Sequence, residues 1–175
     1  MGYALTVRLK QLSDSIIPQW ISEINKLNMT VEVSPKFSFS GHGGFLPFRT
    51  ILYDCPNQSL NHVELMTGYE LYVKKMERNK DSFFRSLMKG KSGANIFDTE
   101  VDFRISAQDS FEYRMGWYSA ASLALVCKGV LIDPQEGLQL EGQQLIEHAH
   151  RCVLEDEKTI KDDEWRIHRF EGWKG

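Results

Sequence analysis

A helix-length segment of small side chains near the middle of the chain constrains the fold more than any other feature. Asp109 or Ser110 can begin this helix, which runs to Cys127, and Gly129 stands where a C-terminal capping glycine is expected. The small side chains allow another backbone to approach closely, and larger apolar residues fill the remaining volume. The small set comprises Gly116, Ser119, Ala120, Ala121, Ser122 and Ala124, and the large set Phe111, Met115, Trp117, Leu123 and Leu125. We predict that this is the central helix of the fold.

Alternating apolar and polar residues predict strands on both sides of that helix. A period of two is typical of a half-buried strand. It predicts strands over residues 3–9, 29–33, 68–73 and 101–105, and short strands are predicted over 49–53 and 130–132.

Apolar spacings of three and four predict further helices. One begins at Ser13 or Asp14 and continues to Leu27, with Pro18 in its first turn, where proline is tolerated. A short helix is predicted from Asp81 to about Gly90, and a longer one over residues 141–154.

The order of these elements predicts a single α+β domain over residues 1–154. We expect an antiparallel or mixed sheet with helices mainly on one face, and a ferredoxin-like topology is one form that fits this order. Residues 155–175 form a tail rich in charge that also contains aromatic residues. We expect this tail to dock in part, because wholly disordered tails carry fewer aromatic residues.

Aromatic residues are concentrated in two segments that do not resemble regular core elements. Residues 34–47 are interrupted by prolines and glycines and are predicted to form an extended loop with aromatic anchors. The tail is the second such segment. Aromatic residues often anchor protein interfaces, so we predict a partner-binding surface. Its candidate residues are Phe39, His42, Phe45, Phe48, Trp165, Phe170 and Trp173. The alternative is that these rings only cover the second face or the open edge of the sheet.

Composition excludes some functions and favours a location. The 175 residues carry a formal net charge of -3, so the chain lacks the positive field with which proteins bind nucleic acid. No apolar stretch approaches the roughly 20 residues that span a membrane, so no membrane partner is expected. Three widely spaced cysteines do not form a disulfide framework. We therefore expect a cytoplasmic protein.

No complete catalytic or metal-binding constellation is present in the sequence. The segment 40–45 resembles a glycine-rich oxyanion loop, but no nucleophile with a base accompanies it. His148 and Cys152 lie four residues apart on a predicted helix, yet two candidate ligands do not make a metal site. Asp133 and Glu136 are better explained by the geometry of a turn that contains Pro134. We expect no cofactor and no metal, and we favour a protein without enzymatic activity over an enzyme.

Four segments resemble small bacterial proteins of unassigned function. The resemblance rests on the alanine-rich helical segment 117–124, the segment Gly-Val-Leu-Ile-Asp-Pro-Gln-Glu-Gly at 129–137, and the segments 44–47 and 67–72. It covers about a third of the chain. Proteins of this kind include immunity and accessory proteins of toxin systems, so the resemblance implies a protein partner, for which a toxin is one candidate, and no catalysis.

Three hypotheses follow, and the sequence leaves all three open. The leading one is a protein-binding module, an immunity-like inhibitor or an accessory protein of a bacterial toxin system. The second is a small enzyme with a site assembled from His42, Glu70 and Asp133, with Cys127 as a further member. The third is a homo-oligomer that associates through the edge of its sheet.

Overall fold

A computed structural model describes residues 2–76 and 97–173, which form an antiparallel sheet with helices packed against it. The strands are β1 (Tyr3–Leu9), β2 (Met29–Val33), β3 (Gly43–Leu52), β4 (Leu65–Lys75), β5 (Thr99–Ile105), β6 (Val130–Asp133), β7 (Leu138–Leu140) and β8 (His168–Arg169). The α-helices of the described ranges are α1 (Ile17–Asn25), α2 (Glu112–Val126) and α3 (Gln144–Lys158). This arrangement confirms the predicted single α+β domain.

The strands follow the order β2-β3-β4-β5-β1-β6-β7, and every neighbouring pair is antiparallel. It follows that β5 and β6 run parallel to each other with β1 between them, and α2 connects them. Helix α1 likewise connects β1 to β2. These two strands run parallel to each other, and β5, β4 and β3 lie between them in the sheet. Two such split β-α-β connections define the ferredoxin-like pattern, which is extended here by the β2-to-β5 meander.

The helices contact one face of the sheet, which we call the inner face. Helix α2 packs across β1, β4, β5 and β6, and α1 and α3 pack beside it. The indole N–H of Trp20 on α1 donates to the backbone carbonyl of Ser119 at 2.9 Å. A Cβ added at Gly116 would lie 2.3 Å from the Cδ1 of Ile105, so the small residue allows α2 to lie close to β5. The predicted central position of this helix is confirmed.

Several predicted boundaries differ from the structure. The loop predicted over residues 34–47 ends earlier, because β3 begins at Gly43 and pairs with β4 along eight residues of each strand. Glycines at the start of this strand disguised it in the sequence. The last helix begins at Gln144 and continues to Lys158, four residues beyond its predicted end. The short helix predicted from Asp81 lies outside the described residues.

The last described segment returns to the sheet. His168 and Arg169 of β8 pair with Met66 and Leu65 at the start of β4, on the side where β5 does not reach. Within residues 2–76 and 97–173, no helix is long and apolar enough to cross a membrane.

Candidate functional site

The outer face of the sheet, opposite the helices, carries the exposed aromatic residues of β3 and the residue that follows it. We call the alternating residues Phe45, Pro47, Arg49, Ile51 and Tyr53 the outer stripe. Phe45 and Tyr53 are 48% and 45% exposed and are the large hydrophobic residues that the described structure leaves exposed. Exposed rings of this size on an ordered strand mark a candidate interaction surface.

The ring of Phe45 lies over a glycine of the neighbouring strand. A Cβ added at Gly68 would lie 3.1 Å from the Cζ of Phe45 and 2.0 Å from the carbonyl oxygen of Leu46. The backbone contact is far too close for any side chain. Gly68 therefore lets β3 and β4 pair while the ring of Phe45 covers the strand from outside.

Arg49 lies at the middle of the outer stripe between two exposed carboxylates. Its Nη2 is 2.8 Å from the Oε1 of Glu64 on one side, and its Nη1 is 3.4 Å from the Oε1 of Glu32 on the other. The hydrogen bond that Arg49 donates to Glu64 raises the pKa of Arg49, so the guanidinium stays charged. Arginine flanked by aromatic residues is the composition that interface centres favour.

The rest of the outer face is a set of paired charges, which we call the outer ion ladder. It comprises Arg8, Lys74, Glu100 and Asp102 on the adjacent strands β1, β4 and β5. Arg8 and Lys74 both lie 3.1 Å from carboxylate oxygens of Glu100, and Lys74 also lies 3.5 Å from Asp102. Burial alone would raise the pKa of Glu100, but the hydrogen bonds and charges of Lys74 and Arg8 outweigh it and lower this pKa. Such exposed pairs are typical of a solvated sheet face.

An open cleft of about 380 Å³ lies at the Tyr53 end of the outer stripe. It is lined by Tyr53, Asp54, Cys55, Gln58, Asn61 and His62. The hydroxyls of Tyr53 and Thr30 lie 2.8 Å apart, and the ring centroids of Tyr53 and His62 are separated by 5.3 Å. The hydroxyl contact with Thr30 and the ring contact with His62 therefore hold the Tyr53 side chain in place.

The loop that forms the cleft is fixed by its own polar side chains. The side-chain oxygen of Asn61 accepts from the backbone N–H of Cys55 at 2.8 Å, and its amide donates to the Cys55 carbonyl at 3.2 Å. Asn57 accepts from the backbone N–H of Ser59 and so caps the first turn of a 3-10 helix. The backbone N–H of His62, whose φ is 66°, donates to the carbonyl of Leu52. The cleft is thus built on an ordered loop.

Asp54 connects the cleft to a buried ion cluster formed with Arg114 and Glu157. Arg114 donates from Nε at 2.7 Å and from Nη2 at 2.6 Å to the two carboxylate oxygens of Glu157, and from Nη1 at 2.8 Å to Asp54. The side chains of Arg114 and Glu157 are each 1% exposed, whereas Asp54 is 26% exposed. Burial alone would lower the pKa of Arg114, but its hydrogen bonds and the two negative charges raise it. The cluster joins α2, α3 and the cleft loop.

The cleft contains the residue types of a thiol hydrolase without their connections. Asp54 is bound by Arg114, and the His62 ring packs against Tyr53. Burial raises the pKa of the Cys55 thiol to about 11, so it is protonated at neutral pH. Among the described residues, no hydrogen bond joins these three side chains. The Cys55 thiol is therefore not activated as a nucleophile in this arrangement.

Two of the predicted partner-binding residues lie in the core. Phe39 is 2% exposed and Phe48 is fully buried, and both rings pack against Trp20, with centroids 5.2 and 6.0 Å away. A partner cannot reach them, because the inner face of β3 and the loop before it close over α1. His42 is half-buried, lies against Phe37 and is 3.1 Å from the carbonyl oxygen of Gly44. Of the predicted loop residues, Phe45 alone belongs to the outer stripe.

The predicted tail residues lie half-buried along the side of the domain. Trp165 stacks on Phe111, with ring centroids 5.4 Å apart, while Phe170 and Trp173 form an edge-to-face pair at 5.0 Å. The backbone N–H of Phe170 donates to the carbonyl of Glu64, whose side chain binds Arg49. The Phe170 backbone thus lies next to the middle of the outer stripe, and Trp165 packs against the domain instead.

The alternative catalytic site of His42, Glu70 and Asp133 is not assembled. Glu70 pairs with Arg104 and lies on the outer face, whereas Asp133 is buried on the inner face, where it accepts a hydrogen bond from Tyr3. Two strands, β5 and β1, separate β4 from β6, a distance of roughly 14 Å. Cys127 lies at the end of α2, where burial raises its thiol pKa.

The remaining candidate ligands are engaged in packing. The ring of His148 lies 5.3 Å from that of Trp117, and burial raises the pKa of the Cys152 thiol, which keeps it protonated. Asp133 accepts backbone hydrogen bonds from Gln135 and Glu136, as its turn requires. In the described portion of the chain, no group of three histidine, cysteine, aspartate or glutamate residues could hold a metal ion.

Asp109 forms a buried polar contact that sequence reasoning missed. Both of its carboxylate oxygens accept from the hydroxyl of Thr67, at 2.9 and 3.0 Å, and one also accepts from the backbone N–H of Phe111. The Nδ1 of His168, on β8, lies 3.8 Å away. Burial raises the pKa of Asp109, and the hydrogen bonds offset this only in part. This contact ties β4 to the start of α2 and faces the tail.

Comparison with known proteins gives no relative from which a function could be transferred. No protein-family model matches the chain, and neither a curated protein nor a solved structure is similar to it. The site is therefore interpreted from its own geometry.

The apolar pattern of β3 does not reveal the outer stripe in the sequence. Both faces of the strand that ends at Leu52 carry large apolar side chains. The sequence pattern therefore does not show which face is buried. Only the pairing of β3 with its neighbours assigns Phe48 to the core and Phe45 to the outer face.

Proposed function

We propose that this chain is a protein-binding module whose contact surface is centred on the outer stripe. The observation that carries the proposal is the exposure of Phe45 on β3 and of Tyr53 directly after it, with Arg49 between them. Binding hot spots are rich in aromatic residues and arginine, and they lie at the centres of interfaces.

The resemblance to small bacterial proteins extends this proposal to the nature of the partner. We propose an immunity-like inhibitor or accessory protein that binds a toxin without catalysis. A surface that acts by binding needs no activated nucleophile, and the buried thiol of Cys55 is consistent with that role. The proposed location is the cytoplasm, which the three free cysteines support.

The experiment uses the wild-type chain as bait in an extract of its source cells and quantifies the proteins that it retains. The test variant combines Phe45→Ala with Tyr53→Ala, and the matched control combines Arg8→Ala with Lys74→Ala on the same face. We expect a stoichiometric partner for the wild type and the control. Loss of a hot spot worth about 2 kcal/mol should weaken binding by the test variant roughly 30-fold.

Two results would contradict the proposal. Either the wild-type bait retains no stoichiometric protein under conditions in which it is folded, or the test variant retains the partner as well as the control does. Urea unfolding of all three proteins shows whether the substitutions have changed the fold rather than the surface.

A further inference from the structure

The cleft beside the outer stripe has an excess of negative charge. Arg114 directs two of its nitrogens to Glu157 and one to Asp54, so two carboxylates share one guanidinium. Among the described residues, no other cation pairs with Asp54 or Glu157. Because Glu157 is buried, Asp54 is the member of the cluster through which this charge reaches the cleft. A charge at the edge of a buried cluster is screened less than one on an open surface.

Aromatic rings form another wall of the same cleft. Tyr53 is half-exposed; its hydroxyl contacts that of Thr30, and its ring packs against His62. The face of such a ring attracts a cation, and a planar guanidinium can stack on it while donating hydrogen bonds at its edge. Asp54 and the exposed Gln58 provide acceptors in the same cleft. A carboxylate and an aromatic face around an open space are the two features that a guanidinium needs.

We propose that this cleft receives the guanidinium of an arginine side chain on the partner protein. The inference rests on the proposed function, because Tyr53 belongs both to the outer stripe and to the cleft wall. A partner segment that covers the stripe can therefore place a side chain directly into the cleft. A lysine ammonium would reach Asp54 but would stack poorly on Tyr53.

The experiment uses small probes and the intact chain, so that it does not depend on finding the partner. N-acetyl-arginine methylamide presents a guanidinium on a neutral backbone, as an arginine within a protein does. Its citrulline analogue has nearly the same shape without the charge. Binding is followed at pH 7.5 through the amide signals of Gln58, Asn61 and His62 in nuclear magnetic resonance titrations. We expect saturable binding of the arginine probe and at least tenfold weaker binding of the citrulline probe.

Variants distinguish the cleft from general attraction to an acidic protein. Asp54→Asn keeps the shape of the side chain and should weaken binding of the arginine probe at least tenfold. Tyr53→Leu keeps the charge and should weaken it about twofold to fivefold through loss of the ring face. Glu136→Gln, in the turn after β6 near the other edge of the sheet, is the matched control and should bind like the wild type.

The proposal is overturned if the two probes bind equally, or if Glu136→Gln weakens binding as much as Asp54→Asn does. Free arginine distinguishes the source of the guanidinium, because tighter binding of free arginine than of the blocked probe would indicate a small-molecule ligand and overturn the assignment to a partner chain. Failure of these titrations leaves the capture experiment with Phe45→Ala and Tyr53→Ala unaffected. The two ideas can therefore fail separately.

Discussion

The two faces of β3 carry similar apolar side chains, but one face is buried and the other is partly exposed. On the inner face, Phe48 is buried beneath Trp20 and beside Tyr69, with ring centroids 6.0 and 5.5 Å apart. On the outer face, three residues earlier, the ring of Phe45 is half-exposed above Gly68. The same residue type thus serves packing in one position and is available for recognition in the other. Which role it takes is decided by the register of the strand rather than by its chemistry.

The comparison is tested most strongly by removing one ring from each face. Phe48→Ala leaves a cavity in the core and should lower the free energy of unfolding by about 3 to 5 kcal/mol. Phe45→Ala removes a half-exposed ring and should lower it by less than about 1.5 kcal/mol. Urea unfolding monitored by tryptophan fluorescence measures both values. Equal losses for the two variants would mean that the faces do not differ as described.

A second test compares the buried arginine of α2 with an arginine on the outer face of the sheet. Arg114→Met leaves the carboxylates of Asp54 and Glu157 without their guanidinium and should destabilise the fold by about 3 kcal/mol or more. Arg8→Met breaks an exposed pair of the outer ion ladder and should cost less than about 1 kcal/mol. Chemical unfolding at neutral pH and moderate salt gives the two changes. A large loss for Arg8→Met would show that the ladder stabilises the fold and is not merely solvated.

The smallest effect concerns pH, and it has opposite signs on the two faces. Burial raises the pKa of Asp109 above its ordinary value of 3.8, so the folded state binds that proton more tightly than the unfolded state does. The advantage of wild type over Asp109→Asn should therefore shrink as pH rises through the folded-state pKa. For Glu100, whose pKa is lowered from 4.5, the stabilisation is present above the unfolded-state pKa and is lost as pH falls.

Unfolding free energies measured between about pH 3.5 and pH 7 provide the check on this sign difference. The difference between wild type and Asp109→Asn should fall with rising pH, and that between wild type and Glu100→Gln should rise. Parallel slopes would contradict the assignment of one acid to the core and the other to the ladder.

Much of the fold could be predicted from periodicity, because β1 and β2 have one face that is clearly apolar and the other mixed. The central position of α2 followed from its small residues. The loop prediction over residues 34–47 was wrong at its end, since the glycines at 43 and 44 hide a strand whose partners on β4 lie 15 to 29 residues away. Of the candidate site, Phe45 was predicted, whereas Tyr53, Asp54 and His62 were not. Their proximity depends on the hydrogen bonds of Asn61 to Cys55 within one irregular loop, which no sequence period reveals.

The position of β1 has a consequence for how the chain is made. Its two neighbours in the sheet are β5 and β6, so Thr6 pairs with Asp102 and Ile132, about 100 residues or more further along the chain. During synthesis, β1 therefore leaves the ribosome well before the strands that pair with either of its edges. Long-range pairing of this kind slows folding and leaves an apolar strand open to premature association. Nascent chains stopped before residue 99 should therefore depend on chaperones until the middle of the sheet can close.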